Sequence, residues 1–373
     1  MESGGMKVLV PRQDLLDAVN KVKAVVSPKS ALPILSHALM ETGESSIKLT
    51  ATDLKVSIEC AVDCRVEEPG SMTVSSQRLA SILSELPEGE LEIALGDNNV
   101  ITLTSGKIQT KLFSMAPEEF PPVRDFEGIE ALALDQGMLK NIFSRTSFAI
   151  STDQARYNLT GLLCDLADGK FTAVATDGRR MSLYIQDEGI PDTAKATVII
   201  PGKMIHELER LLANEGEVKV YIDETQAAFE FGSLRIVTAL IEGSFPPYDK
   251  VVPKKHDKEI VLDTATFTEA VRRTRTMTND KFNSVRFALG EGAMQLRVVT
   301  PEVGEYEEEM VIDYNGEQFE IAFNPDFMVD VLRHTDTEKV SFVLKDAMSP
   351  GLLKPSGNGD SDRYLNVIMP IRI

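Results

Sequence analysis

Apolar residues in this chain recur at two spacings, and the two alternate in a fixed order. In RQDLLDAVNKVKAVV, Leu15, Leu16, Val19, Val22 and Val26 fall on one face of a helix. QGMLKNIFSRTSFAI repeats this with Leu139, Ile142, Phe143 and Ile150, and TATFTEAVRRTRTM with Phe267, Ala270, Val271, Thr274 and Met277. A second helical stretch comes later in each: SSQRLASILSEL, PGKMIHELERLLA and NPDFMVDVLRH. Ser75 or Ser76, Pro201 and Asn324-Pro325 supply helix-starting chemistry for them. Around the helices, residues alternate apolar and polar in IKLTATD and KVSIECAV, KFTAVATD and RMSLYIQ, MQLRVVT and EEEMVIDY, and in later runs such as GELEIAL, EVKVYID and YLNVIMPIRI. Each region reads as two helices plus roughly eight strands, an α+β unit with antiparallel pairing.

The three regions are copies of one pattern. Asp53 in TATD and Asp177 in VATD stand 124 positions apart, and the same step leads to Pro301, directly after Thr300 in RVVT. Phe120-Pro121, Phe245-Pro246 and Met369-Pro370 keep that interval to within one residue. Three domains are predicted, at 1–128, 129–257 and 258–373, with breaks after EEFPPVRDFEG and in VVPKKHDKE.

Composition narrows the chemistry. The chain has 373 residues, 43% of them hydrophobic, enough for folded domains. No apolar run is long enough to span a bilayer, and MESGGMKVLV lacks an export-type apolar core, so a cytoplasmic protein without a membrane partner is expected. The strand-like MKVLV begins at Met6, leaving residues 1–5 as a short lead. Cys60, Cys64 and Cys164 read as reduced packing residues, and the histidines at 37, 206, 256 and 334 never pair at a ligand spacing, so neither metal nor cofactor is expected. Glycine-rich phosphate loops and the G-x-S-x-G nucleophile pattern are missing, so no catalytic residue is assigned. Asp177, followed by Gly178, and its counterpart Asp53 read as turn residues rather than catalytic acids. EVGEYEEEM reads as a solvated strand edge.

Charge changes the picture. The net charge of −19, spread evenly, would argue against nucleic acid. It is not spread evenly. Residues 11–30 set Arg12, Lys21, Lys23 and Lys29 against Asp14 and Asp17. Residues 136–156 set Lys140, Arg145 and Arg156 against Asp153, and residues 265–281 set Arg272, Arg273, Arg275 and Lys281 against Glu269 and Asp280. The first helix of every repeat is thus basic inside an acidic chain. Plain solvation would explain one such helix; its recurrence points to duplex DNA, with Arg12, Lys21, Lys23, Lys29, Lys140, Arg145, Arg156, Arg272, Arg273 and Arg275 facing it. With no tryptophan and no basic-aromatic interleaving, contact without sequence specificity is expected.

LPILSHALM (32–40), ATDGRRM (175–181), EGSFPPY (242–248), KFNSVRF (281–287) and YLNVIMPIRI (364–373) resemble the bacterial DNA polymerase III beta subunit, the replication sliding clamp family. The resemblance implies three DNA-clamp domains, each with two helices packed on antiparallel sheets. It further implies a non-catalytic, head-to-tail homodimeric ring that encircles duplex DNA, tethers the replicative polymerase and clamp loader through short peptide motifs, and confers processivity. A compact repeat of this size is about 35 Å across; six in a hexagon leave a hole of about 35 Å, and three leave only about 5 Å. One chain is too small to surround a duplex; two suffice. The family's peptide pocket, between the second and third domains, maps to Leu159, Thr176, Gly178, Arg179, Arg180, Met181, Pro246, Lys250, Val251, Asn324, Phe327, Met348, Val367, Ile368, Met369, Pro370 and Arg372. Arg179 stands where many members have His, Lys250 where some have Arg, and Pro350 where some have a small polar residue. For the dimer contact, Lys107-Ile108-Gln109 and residues 272–300 are the expected edges. The alternative reading is a three-repeat cytosolic protein-binding scaffold that does not encircle DNA.

Overall fold

Each repeat opens with a strand that runs directly into a helix, and later repeats that step with a second helix. The computed structural model describes residues 5–26, 32–253, 257–357 and 362–372. The first repeat contains β1 (Lys7–Pro11), α1 (Arg12–Val22), β2 (His37–Thr42), β3 (Ser46–Thr52), β4 (Val56–Asp63), β5 (Arg65–Glu68), β6 (Ser71–Ser75), α2 (Ser76–Glu85), β7 (Glu90–Gly96), β8 (Val100–Ser105) and β9 (Ile108–Phe113). The second contains β10 (Leu132–Asp135), α3 (Gln136–Thr146), β11 (Gly161–Ala167), β12 (Lys170–Thr176), β13 (Arg180–Gln186), β14 (Ala196–Pro201), α4 (Gly202–Leu211), β15 (Glu217–Ile222), β16 (Gln226–Phe231) and β17 (Leu234–Ala239). The third contains β18 (Lys258–Asp263), α5 (Thr264–Arg275), β19 (Val285–Gly290), β20 (Ala293–Thr300), β21 (Gly304–Val311), β22 (Phe319–Phe323), α6 (Pro325–Arg333), β23 (Lys339–Leu344), β24 (Gly351–Pro355) and β25 (Tyr364–Ile368).

The strands form four antiparallel sheets, and two of these join strands from different repeats. One sheet, ordered β10-β15-β16-β17-β4-β3-β2-β6, is continued across the β17–β4 pair, with Ile236 opposite Ile58. Another, β14-β11-β12-β13-β25-β24-β23-β18, is continued across β13–β25, with Met181 opposite Val367. The outer sheets are β5-β1-β7-β8-β9 and β21-β20-β19-β22. Accordingly the chain divides into two compact units. One comprises residues up to Asp135 with Glu215–Leu240, the other Gln136–Asn214 with the segment from Ile241 onward. The second repeat contributes to both.

Within each unit, paired helices cover sheet faces. α1 and α2 bury Leu15, Val19, Val22, Leu79 and Leu83. α5 and α6 bury Phe267, Val271, Met328 and Leu332 in a knot of aromatic rings in which Phe267 meets Phe287 and Phe342, and these two meet each other and Phe323, at tilted or edge geometries with centroids 5.7–6.2 Å apart. Helix starts differ in chemistry. Asn324 accepts the Asp326 N–H and Pro325 occupies the first helical position of α6. Asp263 does the same for α5 through the Thr266 N–H. Ser75 makes no such bond for α2, and α4 begins after Pro201 with no side-chain cap.

Candidate partner-binding site

The ATD echo is a shared turn. Asp177 Oδ1 accepts the N–H groups of Arg179 (2.8 Å) and Arg180 (3.0 Å). The Thr176 hydroxyl donates to the Arg180 carbonyl (2.6 Å) and accepts the Gly178 N–H (3.0 Å). Asp53 accepts from Lys55 and Val56, and Thr52 bonds Val56 and Leu54, in the same pattern. Both turns pass through the left-handed region. Gly178 takes it at φ +83 without strain, whereas Leu54 must adopt φ +73. In the third repeat Pro301 replaces the Asp, and the Thr300 hydroxyl instead donates to the Met277 carbonyl. Each Asp thus shapes the backbone, with its Oδ1 committed to it.

The residues after Asp177 set the second copy apart. Arg180 donates from Nε to Asp177 (3.1 Å), from Nη1 to Asp330 on α6 (2.6 Å) and from Nη2 to the Phe148 carbonyl (2.6 Å). Its guanidinium also lies 4.6 Å from the Phe327 ring centre and 5.5 Å from that of Phe148. One side chain therefore ties the turn to two helical elements. Arg179, exposed, lies over the same Phe327 ring at 5.8 Å, and its carbonyl accepts the Met369 N–H at 2.8 Å.

Beneath this rim lies an apolar floor. Met181 and Val367 belong to one buried cluster with Leu163, Val174, Leu183 and Leu352, against which Phe245, Tyr248 and Val252 pack. Pro246, Lys250 and Val251 stand exposed on that last segment. Burial, then neighbouring Asp249, raises the Tyr248 hydroxyl pKa. Met369 is 40% exposed, Pro370 partly buried and Arg372 exposed, as the chain passes Ala322, whose carbonyl accepts the Ile371 N–H. Met348, 61% exposed, occupies the β23–β24 connection, whose turn Asp346 holds through the N–H groups of Met348 and Ser349. Asn324 caps α6 one turn before Phe327. Leu159 is buried at the end of the 154–159 turn, outside the cluster containing Met181.

Ile368 is a correction. Neighbouring strand residues point to opposite faces, so Val367 joins the floor while Ile368 enters the third-repeat core beside Phe323 and Phe342. It does not line the pocket.

The basic residues sort more sharply than their sequence windows. Lys23 and Arg272 are exposed, and Lys21 and Arg12 partly so. Lys140 is partly exposed, with its ammonium on the Leu212 carbonyl and Asn214. Arg273 is held by Glu308, which raises its pKa further, and Arg275 by Asp326 at 2.6 Å. Lys29 lies outside the described residues. Arg145 is a correction: it is 8% exposed, stacked 4.9 Å from Tyr184 and 5.4 Å from Tyr364, and paired with Asp336. It cannot present its charge to DNA. Arg156 lies beside the Gly178 turn: a Cβ added to Gly178 would meet its Nη1 at 2.4 Å. Its partner Asp153 has a lowered pKa, first through the Ala155 N–H and then through Arg156.

Among the described residues no cluster of three His, Cys, Asp or Glu side chains could hold a metal ion, and no helix is long and apolar enough to cross a membrane. The three cysteines are free, their thiol pKa values raised chiefly by burial.

Three copies of one α+β unit, with an arginine-clamped rim over an apolar floor, define a docking protein of the clamp class. Comparison with known proteins narrows this. The DNA polymerase III beta subunit N-terminal, central and C-terminal domains match residues 6–124, 133–247 and 249–372. The chain belongs to that family, the beta sliding clamps, a processivity subunit that is not itself catalytic. It is 34% identical over 368 residues to the beta sliding clamp of Chlamydia muridarum, covering 99% of each chain, and 34% identical over 370 residues to that of Pseudomonas putida, covering 99% and 100%. A Pseudomonas aeruginosa sliding clamp solved bound to griselimycin superposes with a TM-score of 0.93 at 33% identity, covering 99% of this chain and 100% of that one. A C. crescentus clamp, solved with polyethylene glycol at its putative beta-motif tethering region, gives 0.94 at 31% identity and full coverage of both.

Proposed function

We propose that two copies of this chain close head to tail into a ring around duplex DNA, without sequence specificity, and hold polymerase and clamp-loader peptides in the pocket between the arginine rim and the Met181–Val367 floor. The supporting observation is a pair of complementary free sheet edges. β9 on the first repeat is one edge, flanked by Lys107 and carrying Lys111, with Ile108 and Phe113 exposed. β21 on the third repeat is the other, carrying Glu305, Glu307 and Glu309 outward and ending in exposed Val311. Long edges with exposed apolar residues call for a partner strand. Pairing β9 of one copy with β21 of the next uses both edges and closes after two copies. The expected contact range 272–300 is thereby revised: β20, which ends it, is already paired on both sides.

Domain limits at 1–128, 129–257 and 258–373 rest on the repeat, and the family matches end close to them. The pocket assignment is supported by the convergence of Gly178, Arg179, Arg180, Met181, Phe327, Val367 and Met369. A cytoplasmic location fits a replication role. The test is topological. After clamp loading, the protein should stay on closed circular DNA at salt concentrations that abolish phosphate contacts, and leave when the circle is cut. Equal release from circular and linear DNA would sink the ring.

A further inference from the structure

Two adjoining clefts of about 440 and 580 Å³ run along α2 in the first repeat and share Val26, Gln77 and Ser81. Among the described residues no carboxylate lines either of them, in a chain that holds 58 Asp and Glu. Lys23 borders the first and Arg78 the second, both exposed. Clefts on the third repeat are acidic by contrast: one carries Glu309 and Glu320, another Asp263, Glu269, Asp336 and Glu338. The Lys23 ammonium donates to Asn20 (2.8 Å), a neutral partner, and Arg78 enters no ion pair among the described residues. The start of α2 opens on the same groove. Ser75 gives it no side-chain cap and its first turn holds no acidic residue, so the positive end of the helix is not compensated there. Ser76, the first helical residue, lines the smaller cleft, is 0% exposed, and has a hydroxyl without a hydrogen-bond partner. A buried hydroxyl left unpaired is costly, and a ligand that bonds it removes the cost.

We propose that this groove seats a phosphate group at the start of α2, with Lys23 and Arg78 reaching it from the two clefts and the Ser76 hydroxyl donating to one of its oxygens. Helix-start N–H groups, a hydroxyl donor and two cations with no opposing carboxylate suit a small anion with several acceptor oxygens. Two sources carry that chemistry: a free phosphate ester and the backbone of a nucleic-acid duplex. The first stands without the ring, and the second deepens it. Charge counted over the first helix of each repeat leaves Arg78 out, since it lies on the second helix. Because both cations are exposed, the seat is modest in strength and weakens with salt.

The experiment titrates full-length protein into inorganic phosphate at constant ionic strength and follows the phosphorus NMR line width. The line should broaden with the parent protein, and the apparent affinity should fall roughly three- to tenfold in Arg78→Gln and roughly two- to fivefold in Ser76→Ala. Arg78 is exposed and Ser76→Ala removes a single oxygen, so both variants should keep the parent melting midpoint without phosphate. No broadening with the parent, or equal affinity in all three proteins, overturns the proposal. A short linear duplex then separates the sources. If its backbone fills the seat, Arg78→Gln lowers the slope of log affinity against log salt by about one, and inorganic phosphate competes where chloride of equal ionic strength does not. If the slope is unchanged while phosphate still binds, the ligand is a free phosphate ester. Loss of the ring on circular DNA leaves the inorganic-phosphate result standing, so the two readings fail separately.

Discussion

At the scale of single residues, position relative to a packed face decides what a charge can do. Arg145 comes three residues after Ile142 and four before Ala149, so helical spacing already sets it on the buried face of its segment. That signal was readable in the sequence, but counting charges by window hides it. Arg156 had no such signal, because its approach to Gly178 depends on a turn about twenty residues further along. Arg180 concentrates the most interactions. Replacing it with Met removes the side-chain donor to Asp177, Asp330 and the Phe148 carbonyl. With Asp330 partly solvated, we expect a loss of about 2–3 kcal/mol, below the value for a fully buried pair, read as a lower urea midpoint. Glu308 makes a pH-dependent contribution. Its carboxyl pKa is depressed, foremost by Arg273, which burial opposes and to which Tyr306 adds. A depressed carboxyl stabilises above its ordinary value of 4.5 and loses that contribution as pH falls through the folded value. Glu308→Gln should therefore be less stable than the parent protein at pH 6, with the gap narrowing as pH falls below 4.5, in thermal melts. A gap that stays constant with pH would contradict this.

At the scale of elements, local patterns carried most of the fold. Both helices of every repeat and the alternating strands are where periodicity puts them, because each must bury one face and the period of that face is written locally. EVGEYEEEM, read as a solvated edge, forms β21 with Glu305, Glu307 and Glu309 outward. Which strand lies beside which is another matter. The β17–β4 and β13–β25 pairs join residues far apart in sequence, and a strand carries no local mark of a distant neighbour. The same holds for free edges: nothing local marks β9 or β21 as the last strand of its sheet. Phe113 at 81% exposure and Val311 at 90% are the apolar residues most out of place on these edges. Introducing Phe113→Asp or Val311→Asp separately should shift the protein from dimer to monomer at micromolar concentration in sedimentation velocity, with helix content unchanged. The Val311 change adds charge to an already acidic strand, so its effect should weaken at high salt. Two variants that both remain dimeric would exclude β9 and β21 from the contact.

At the scale of the whole molecule, the three-fold repeat and the two compact units are different partitions of one chain. The repeat was legible because it is a pattern along the sequence; the units were not, because they arise from sheet pairing that crosses repeat limits. The second repeat contributes β10 and β15–β17 to a sheet completed by β2–β4 and β6, and β11–β14 to one completed by β18 and β23–β25. Cutting it out would open two long edges, at β13 and β17, whose residues Leu183, Tyr184, Ile236 and Val237 are buried in the intact chain. Cooperative opening tracks shared packing rather than sequence order. Hydrogen exchange in mild urea, read by mass spectrometry, should then split the second repeat. Peptides from β11–β14 should lose protection together with those from β23–β25, and peptides from β15–β17 together with those from β3 and β4. If instead residues 129–257 exchanged as one block, distinct from both neighbours, the repeat would be the folding unit and the shared sheets only a contact between finished domains.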